Sequence, residues 1–195
     1  MRQIPVLTSM KKTRDTPFLK NYTLHYINSE GGEKVYETVS NFDYEDPGQL
    51  GQQATGVVIV GWKGDSLLLC REFRMGVNHF VYNMPAGRME EGETVEQCAR
   101  RELFEETGLS LVRVHQILPP SYAAPDLSDS SAWVVFAEVD GELPEGTSEH
   151  TEADEWIRPG LYSRDEVARL LESRRFSGRA QMAAWFFANN MFFRT

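Results

Sequence analysis

Apolar and polar residues alternate through NYTLHYIN (21–28) and again through VYETVSN (35–41), with the turn formers of SEGGEK between them. Period-two alternation puts successive side chains on opposite faces of a strand, so residues 17–41 are predicted to form a small antiparallel unit. ATGVVIVGW (54–62) is apolar without alternation, the pattern of a strand buried on both faces. DSLLLCREF (65–73) follows across Lys63-Gly64, which predicts a hairpin. Phe80 to Met84 reads as a short strand ending at Pro85. Thr94 with Gln97 three residues on forms a capping box, and Gly108 suits a left-handed C-terminal position, so a helix is predicted over Val95–Thr107. LVRVHQILPP (111–120) and SAWVVFAEV (131–139) are predicted strands, separated by the turn-rich loop SYAAPDLSDS. GELPEGTSEHTEADE (141–155) is an acidic loop. Ser163 with Glu166 opens a second capped helix carrying Val167, Leu170 and Leu171. A last helix is predicted from Gly178 to Met191, with Ala180, Ala183, Ala184, Phe187 and Met191 toward the core. Strands, a helix, more strands and terminal helices together suggest α+β, or a sheet sandwiched between helices.

Composition narrows the class. The chain has 195 residues, enough for one domain with a full core and an added arm. A net charge of −9 argues against a broad nucleic-acid or anionic-membrane surface. The two cysteines, Cys70 in LLLC and Cys98 in the helix predicted over Val95–Thr107, read as buried free thiols of a reducing compartment. MRQIPVLTSMKK lacks the apolar core of a signal peptide, and no apolar run approaches the ~18 residues of a membrane span. A cytoplasmic location is expected.

The chemistry concentrates in GRMEEGETVEQCARRELFEETGL (87–109). Glu102, Glu105 and Glu106 fall within one helical turn, on an arc of roughly 100°. Like charges at this spacing repel by roughly 0.2–0.5 kcal/mol per pair. A helix that gathers them, with Glu93 just before its start, suits a hard divalent cation such as Mg²⁺ or Mn²⁺, which prefers oxygen ligands. The segment resembles the signature of the Nudix hydrolase superfamily, G-x5-E-x7-R-E-U-x-E-E-x-G-U with U aliphatic. Gly87, Glu93, Arg101, Glu102, Leu103, Glu105, Glu106, Gly108 and Leu109 match it without exception.

The flanks sharpen the resemblance. EFRMGVNHFVYNMPAG (72–87) is similar to the EQFR…ELPAG segment of ADP-ribose and ADP-sugar pyrophosphatases, and Pro125, 16 residues after Leu109, to a marker of that subfamily. Asn83 departs from the pattern, standing at the acidic position of ELPAG with an amide that brings no charge. The resemblance implies a Nudix-type α/β/α sandwich with a mixed β-sheet over 51–195. A small antiparallel N-terminal β subdomain over 1–50 would serve dimerisation and base binding. It implies metal ligation by Glu102 and Glu106, with Glu105, Glu93 and the backbone carbonyl of Ala86. Arg101 would clamp a carboxylate, and Arg74 would bind phosphate. Phe18 and Tyr36 would stack on adenine, with Glu37 counted among the substrate contacts. A general base is expected on the acidic loop, with Glu152 and Glu155 as candidates and Glu149 third. His79 is expected to be structural or exposed.

The implied activity is Mg²⁺-dependent hydrolysis of ADP-ribose or a related ADP-sugar to AMP and a sugar phosphate, by a homodimer that binds no nucleic acid or membrane. Another nucleoside diphosphate-sugar, such as GDP-mannose, is the nearest alternative substrate. NADH, dinucleoside polyphosphates and capped RNA fit less well, with no zinc ribbon and no basic face in view. A silent nucleotide-sugar sensor is the alternative of a different class, and an intact set of box glutamates argues against it.

Overall fold

The computed structural model describes residues 3–146 and 155–191. They fall into two compact units, Met1–Thr55 with Pro120–Ala132, and Gly56–Pro119 with Trp133–Thr195.

The first unit is a three-stranded antiparallel sheet of β1 (Val6–Asp15), β2 (Lys20–Ile27) and β3 (Glu33–Ser40), in that order. The turn between β2 and β3 closes because Asn28 Oδ1 accepts from the backbone N–H groups of Glu30 and Gly32, each at 2.9 Å. Gly31 there sits at φ +82°, a conformation that glycine adopts without a Cβ penalty. Tyr22, Leu24 and Tyr44 form its core. The Tyr22 hydroxyl accepts from Tyr44 N at 2.7 Å, and the Tyr44 hydroxyl donates to Asp129 at 2.6 Å, so both buried phenols are satisfied.

The second unit is an α/β/α sandwich around a mixed sheet. β4 (Gly56–Lys63) and β5 (Ser66–Arg74) form the predicted hairpin. Its closing pair is Lys63 with Ser66, so the turn is Gly64-Asp65 rather than Lys63-Gly64. The other strands are β6 (His79–Asn83), β7 (Ala86–Arg88), β8 (Ser110–Tyr122), β9 (Ser131–Asp140) and β10 (Ile157–Tyr162). The order is β10-β5-β4-β9-β8, with β6 pairing β5 and β7 pairing β4. Helix α1 (Val95–Thr107) has the predicted bounds, followed by α2 (Arg164–Ser173) and α3 (Gly178–Ala188). Leu103, Cys98 and Ala99 of α1 pack with Val57, Ile59 and Leu68 in one fully buried cluster. Leu67 and Leu69 point to the other face of β5 and are equally buried, and α2 and α3 contact that strand. At ~25 cal/mol per Å² of apolar surface, a polar substitution at a leucine buried on either face of β5 would lose that burial.

α3 stops at Ala188, short of the predicted Met191. Met191 is 46% exposed, so it is not a core residue, and Asn190 at φ 57° has left the helical conformation. β8 continues past Pro120 into the segment expected to be a loop. β1, β7 and β10 had no counterpart in the pattern reading. Among the described residues, no helix is long and apolar enough to cross a membrane.

Cys70 and Cys98 are free and buried. Burial pushes the Cys70 thiol well above its ordinary value and Cys98 to about 12. A protonated, inaccessible thiol is a poor nucleophile. Native protein at pH 8 is therefore expected to leave both unlabelled by a disulfide reagent over minutes, and to release two equivalents per chain in denaturant. Rapid labelling of either in the native state would contradict this placement.

Candidate active site

α1 begins at a reciprocal cap. Thr94 Oγ1 accepts from Gln97 N at 3.3 Å, and Gln97 Oε1 accepts from Thr94 N at 2.9 Å. It ends at Gly108, φ +71°, whose N–H donates to Phe104 O at 2.8 Å. Burial of Leu103, Cys98 and Ala99 sets the helix's rotation, which turns Glu102 and Glu106 toward β7. Ala86, Gly87 and Arg88 of β7 pair with Val58, Val57 and Gly56 of β4.

Glu106 is 9% exposed, and one carboxylate oxygen accepts from Ala86 N at 3.2 Å. Glu102 lies against Gly87 so closely that a Cβ added there would fall 1.8 Å from Glu102 Cδ. Arg101 spends its fork on the neighbouring acids. Its Nε and Nη2 donate to the two oxygens of Glu93, each at 3.0 Å. Its Nη1 donates to Glu102 at 2.8 Å and Glu105 at 3.1 Å, and Nη2 also reaches Arg88 O at 2.9 Å. Planar guanidinium geometry matches a carboxylate with two bonds at once. This contact pulls the Glu93 carboxyl down to about 2. Burial, above all, pushes Glu106 far up, and the nearby charges of Glu72, Glu102 and Glu155 add to it. Burial raises Glu102 as well, against the opposing pull of Arg101.

Glu72 belongs to this group and was missed from the sequence. It is 5% exposed on β5, accepts from Asn83 Nδ2 at 2.7 Å and lies 3.7 Å from Arg74 Nε. Its carboxyl is raised by burial, and it adds to the upward push on Glu106. The available signal was register. Leu68, Cys70 and Glu72 alternate onto one face, so the apolar side of LLLCRE continues into a carboxylate.

The remaining expected residues are spread more widely. Arg74 is largely exposed at the end of β5. Glu155 is exposed, and its charge is felt by Glu72, Glu102 and Glu106. Glu149 and Glu152 lie outside the described residues. In the first unit, Phe18 is 74% exposed, and the Tyr36 hydroxyl donates to Asp126 O. Glu37 is exposed on the opposite sheet face from Tyr36, because neighbours in a strand point apart. His79 is exposed at the start of β6.

Comparison with known proteins meets this arrangement at the same place. The NUDIX domain family matches residues 51–186, and the chain belongs to that family. An ADP-ribose pyrophosphatase of Saccharomyces cerevisiae is 27% identical over 150 residues, which is 75% of this chain and 63% of that protein. An ADP-ribose pyrophosphatase of Bacillus subtilis is 30% identical over 121 residues, covering 62% of this chain and 63% of the relative. The Escherichia coli K12 protein of the same name is 29% identical over 125 residues, 62% of this chain and 59% of its own length. The chain thus spans about three fifths of the length of these curated relatives. A crystal structure of an ADP compounds hydrolase superposes with a TM-score of 0.73 at 22% identity, over 98% of this chain and 95% of the other, a likeness of fold.

Proposed function

We propose that the chain is a divalent-metal-dependent pyrophosphatase acting on ADP-ribose or a related ADP-sugar. The observation that carries this reading is the carboxylate pair of half-buried Glu102 and buried Glu106 against β7, in a family whose similar members include ADP-ribose pyrophosphatases. Water adds to one phosphorus of the diphosphate, the bridging P–O bond breaks, and AMP and a sugar phosphate leave.

The residues fit a hard divalent cation. Glu72 and Glu106 are buried and Glu102 half-buried, and burial disfavours the negative form of each, with Arg101 and Arg74 as nearby cations among the described residues. A dication offsets that penalty, and all-oxygen donors select Mg²⁺ or Mn²⁺. Among the described residues, no three acidic, histidine or cysteine side chains already converge on one point, and Arg101 is what draws Glu93, Glu102 and Glu105 toward itself. Glu102, Glu106 and the Ala86 carbonyl would hold the ion, with Glu93 and Glu105 behind them. When bound, such an ion neutralises phosphate charge and acidifies a water. Gly87 leaves room for the Glu102 carboxylate, and Arg101 restricts its rotamers. Arg74 supplies a cation for a phosphate oxygen. Glu155 is the described candidate for taking the proton of the attacking water, and Glu152 keeps the same standing on the acidic loop.

Phe18 and Tyr36 carry the base-stacking role in this reading, within a homodimer of a cytoplasmic enzyme. Phe18→Ala is expected to raise KM for ADP-ribose about 3- to 10-fold with kcat little changed, the loss of roughly one stacking contact. An unchanged KM removes Phe18 from the site.

The deciding experiment is AMP release from ADP-ribose with and without Mg²⁺, beside ADP-glucose, GDP-mannose and NADH. Metal-dependent AMP release from ADP-ribose supports the reading. Cleavage of GDP-mannose alone keeps the chemistry and overturns the adenine preference. Tight binding without turnover of any compound overturns the enzyme.

A further inference from the structure

The Nudix signature accounts for the acids on α1 and leaves out Glu72, a buried carboxylate of the sheet on the face of β5 that carries Leu68, the residue α1 packs against. Two hydrogen-bonded links hold it there. Ser177 Oγ donates to Asn83 Oδ1, and Asn83 Nδ2 donates to Glu72 Oε1 at 2.7 Å. Backbone bonds and a ring contact fix where these links begin. Ser177 N donates to Tyr82 O at 3.0 Å, Tyr82 N donates to Arg175 O at 2.7 Å, and the Phe176 and Tyr82 rings stack with centroids 5.4 Å apart. Residues 175–177, at the start of α3, are thereby stitched to β6. Asn83 is three positions before Ala86, the residue whose N–H binds Glu106, so the two carboxylates are anchored at the two ends of one short segment.

A buried carboxylate beside other buried carboxylates is costly unless it has work to do with a cation. Among the described residues, both polar contacts of Glu72 fall on Oε1, which leaves the lone pairs of Oε2 for another partner. We propose that Glu72 is a further carboxylate of the metal centre, held in place by the Ser177–Asn83–Glu72 chain from the N-terminus of α3. It would bring to the ion an acid from the sheet, beside those of α1. The inference rests on the metal-dependent reading above and assigns that site one more residue.

The test is Mn²⁺ binding to the full chain, followed by electron paramagnetic resonance, with thermal melting of the metal-free protein alongside. Glu72→Gln keeps the hydrogen bond to Asn83 and removes the charge. It is expected to weaken Mn²⁺ binding at least fivefold while the metal-free protein melts no lower than wild type, because a buried repulsion has gone. A merely structural Glu72 would give the reverse, a lower melting temperature with unchanged Mn²⁺ affinity. The double variant Glu72→Gln/Asn83→Asp returns a carboxylate one hydrogen bond away and is expected to recover most of the lost affinity. Should Glu72→Gln fail to fold, Asn83→Ala removes the positioning amide and is expected to weaken Mn²⁺ at least threefold. Smaller effects overturn the proposal. Glu106→Gln separates the two levels. Wild-type binding that is lost in Glu106→Gln and intact in Glu72→Gln sinks this inference alone. A wild type that binds no Mn²⁺ sinks the metal reading and this inference with it.

Discussion

Glu106→Gln is expected to lower ADP-ribose turnover about 10³-fold, a loss of roughly 4 kcal/mol of transition-state stabilisation. It should do so without harming the fold. Glutamine has the same shape, and its side-chain oxygen can still accept from Ala86 N, as Glu106 does at 3.2 Å. What is lost is the charge that would face the cation. The same substitution makes a second, opposite prediction for the metal-free protein. Burial raises the folded-state pKa of Glu106 well above 4.5, so the folded chain holds that proton to higher pH than the unfolded chain does. Stability from this group is therefore fully present below about pH 4.5 and is lost as pH rises through the folded value. Metal-free Glu106→Gln should melt above wild type at neutral pH, and the two should converge in acid. Saturating Mg²⁺ should narrow or reverse the neutral-pH gap, because only wild type gains the full binding energy. Full turnover in the variant would remove Glu106 from the metal set.

This opposition between stability and activity bears on what the sequence made legible. α1 was readable to the residue because three local devices agree on it, the Thr94–Gln97 cap, the helical run and the Gly108 stop. Its acids were readable because helical spacing alone puts them on one face. The strands that escaped notice lack a pattern of their own. β1 is exposed along most of both faces and is held by its ladder to β2. β7 is three residues long and exists through its pairing with β4. β10 contains Pro159 and Gly160, residues that argue against a central strand and are tolerated at the sheet's edge, where among the described residues only β5 lies alongside. Glu72 was hidden for a related reason. A charged residue at the end of an apolar run looks like the place where a strand emerges into solvent, and only the observed register with Val81 and Ile157 shows it buried between two neighbours. Local chemistry is written in local sequence, while carboxylates brought in from the sheet depend on pairing partners far along the chain.

Gly87→Ala is expected to lower kcat for ADP-ribose about 10²-fold while shifting the melting temperature by only a few degrees, an effect of the size that misplacing a catalytic group by about 1 Å produces. Gly87 is not at positive φ, so alanine can take its backbone conformation. The conflict is with a side chain alone, since the new Cβ would lie 1.8 Å from Glu102 Cδ. Glutamate has the freedom to swing away, which spares the fold and moves the carboxylate off β7. Gly56→Ala is the informative contrast. Its Cβ would meet the Gly87 carbonyl oxygen at 1.9 Å, an atom of the backbone that cannot rotate aside. Relief there requires β4 and β7 to part, so stability and turnover should fall together. Measured side by side, the two variants separate a glycine that makes room for a carboxylate from one that makes room for a strand. Wild-type kcat in Gly87→Ala would mean that the position of Glu102 against β7 is not needed for turnover.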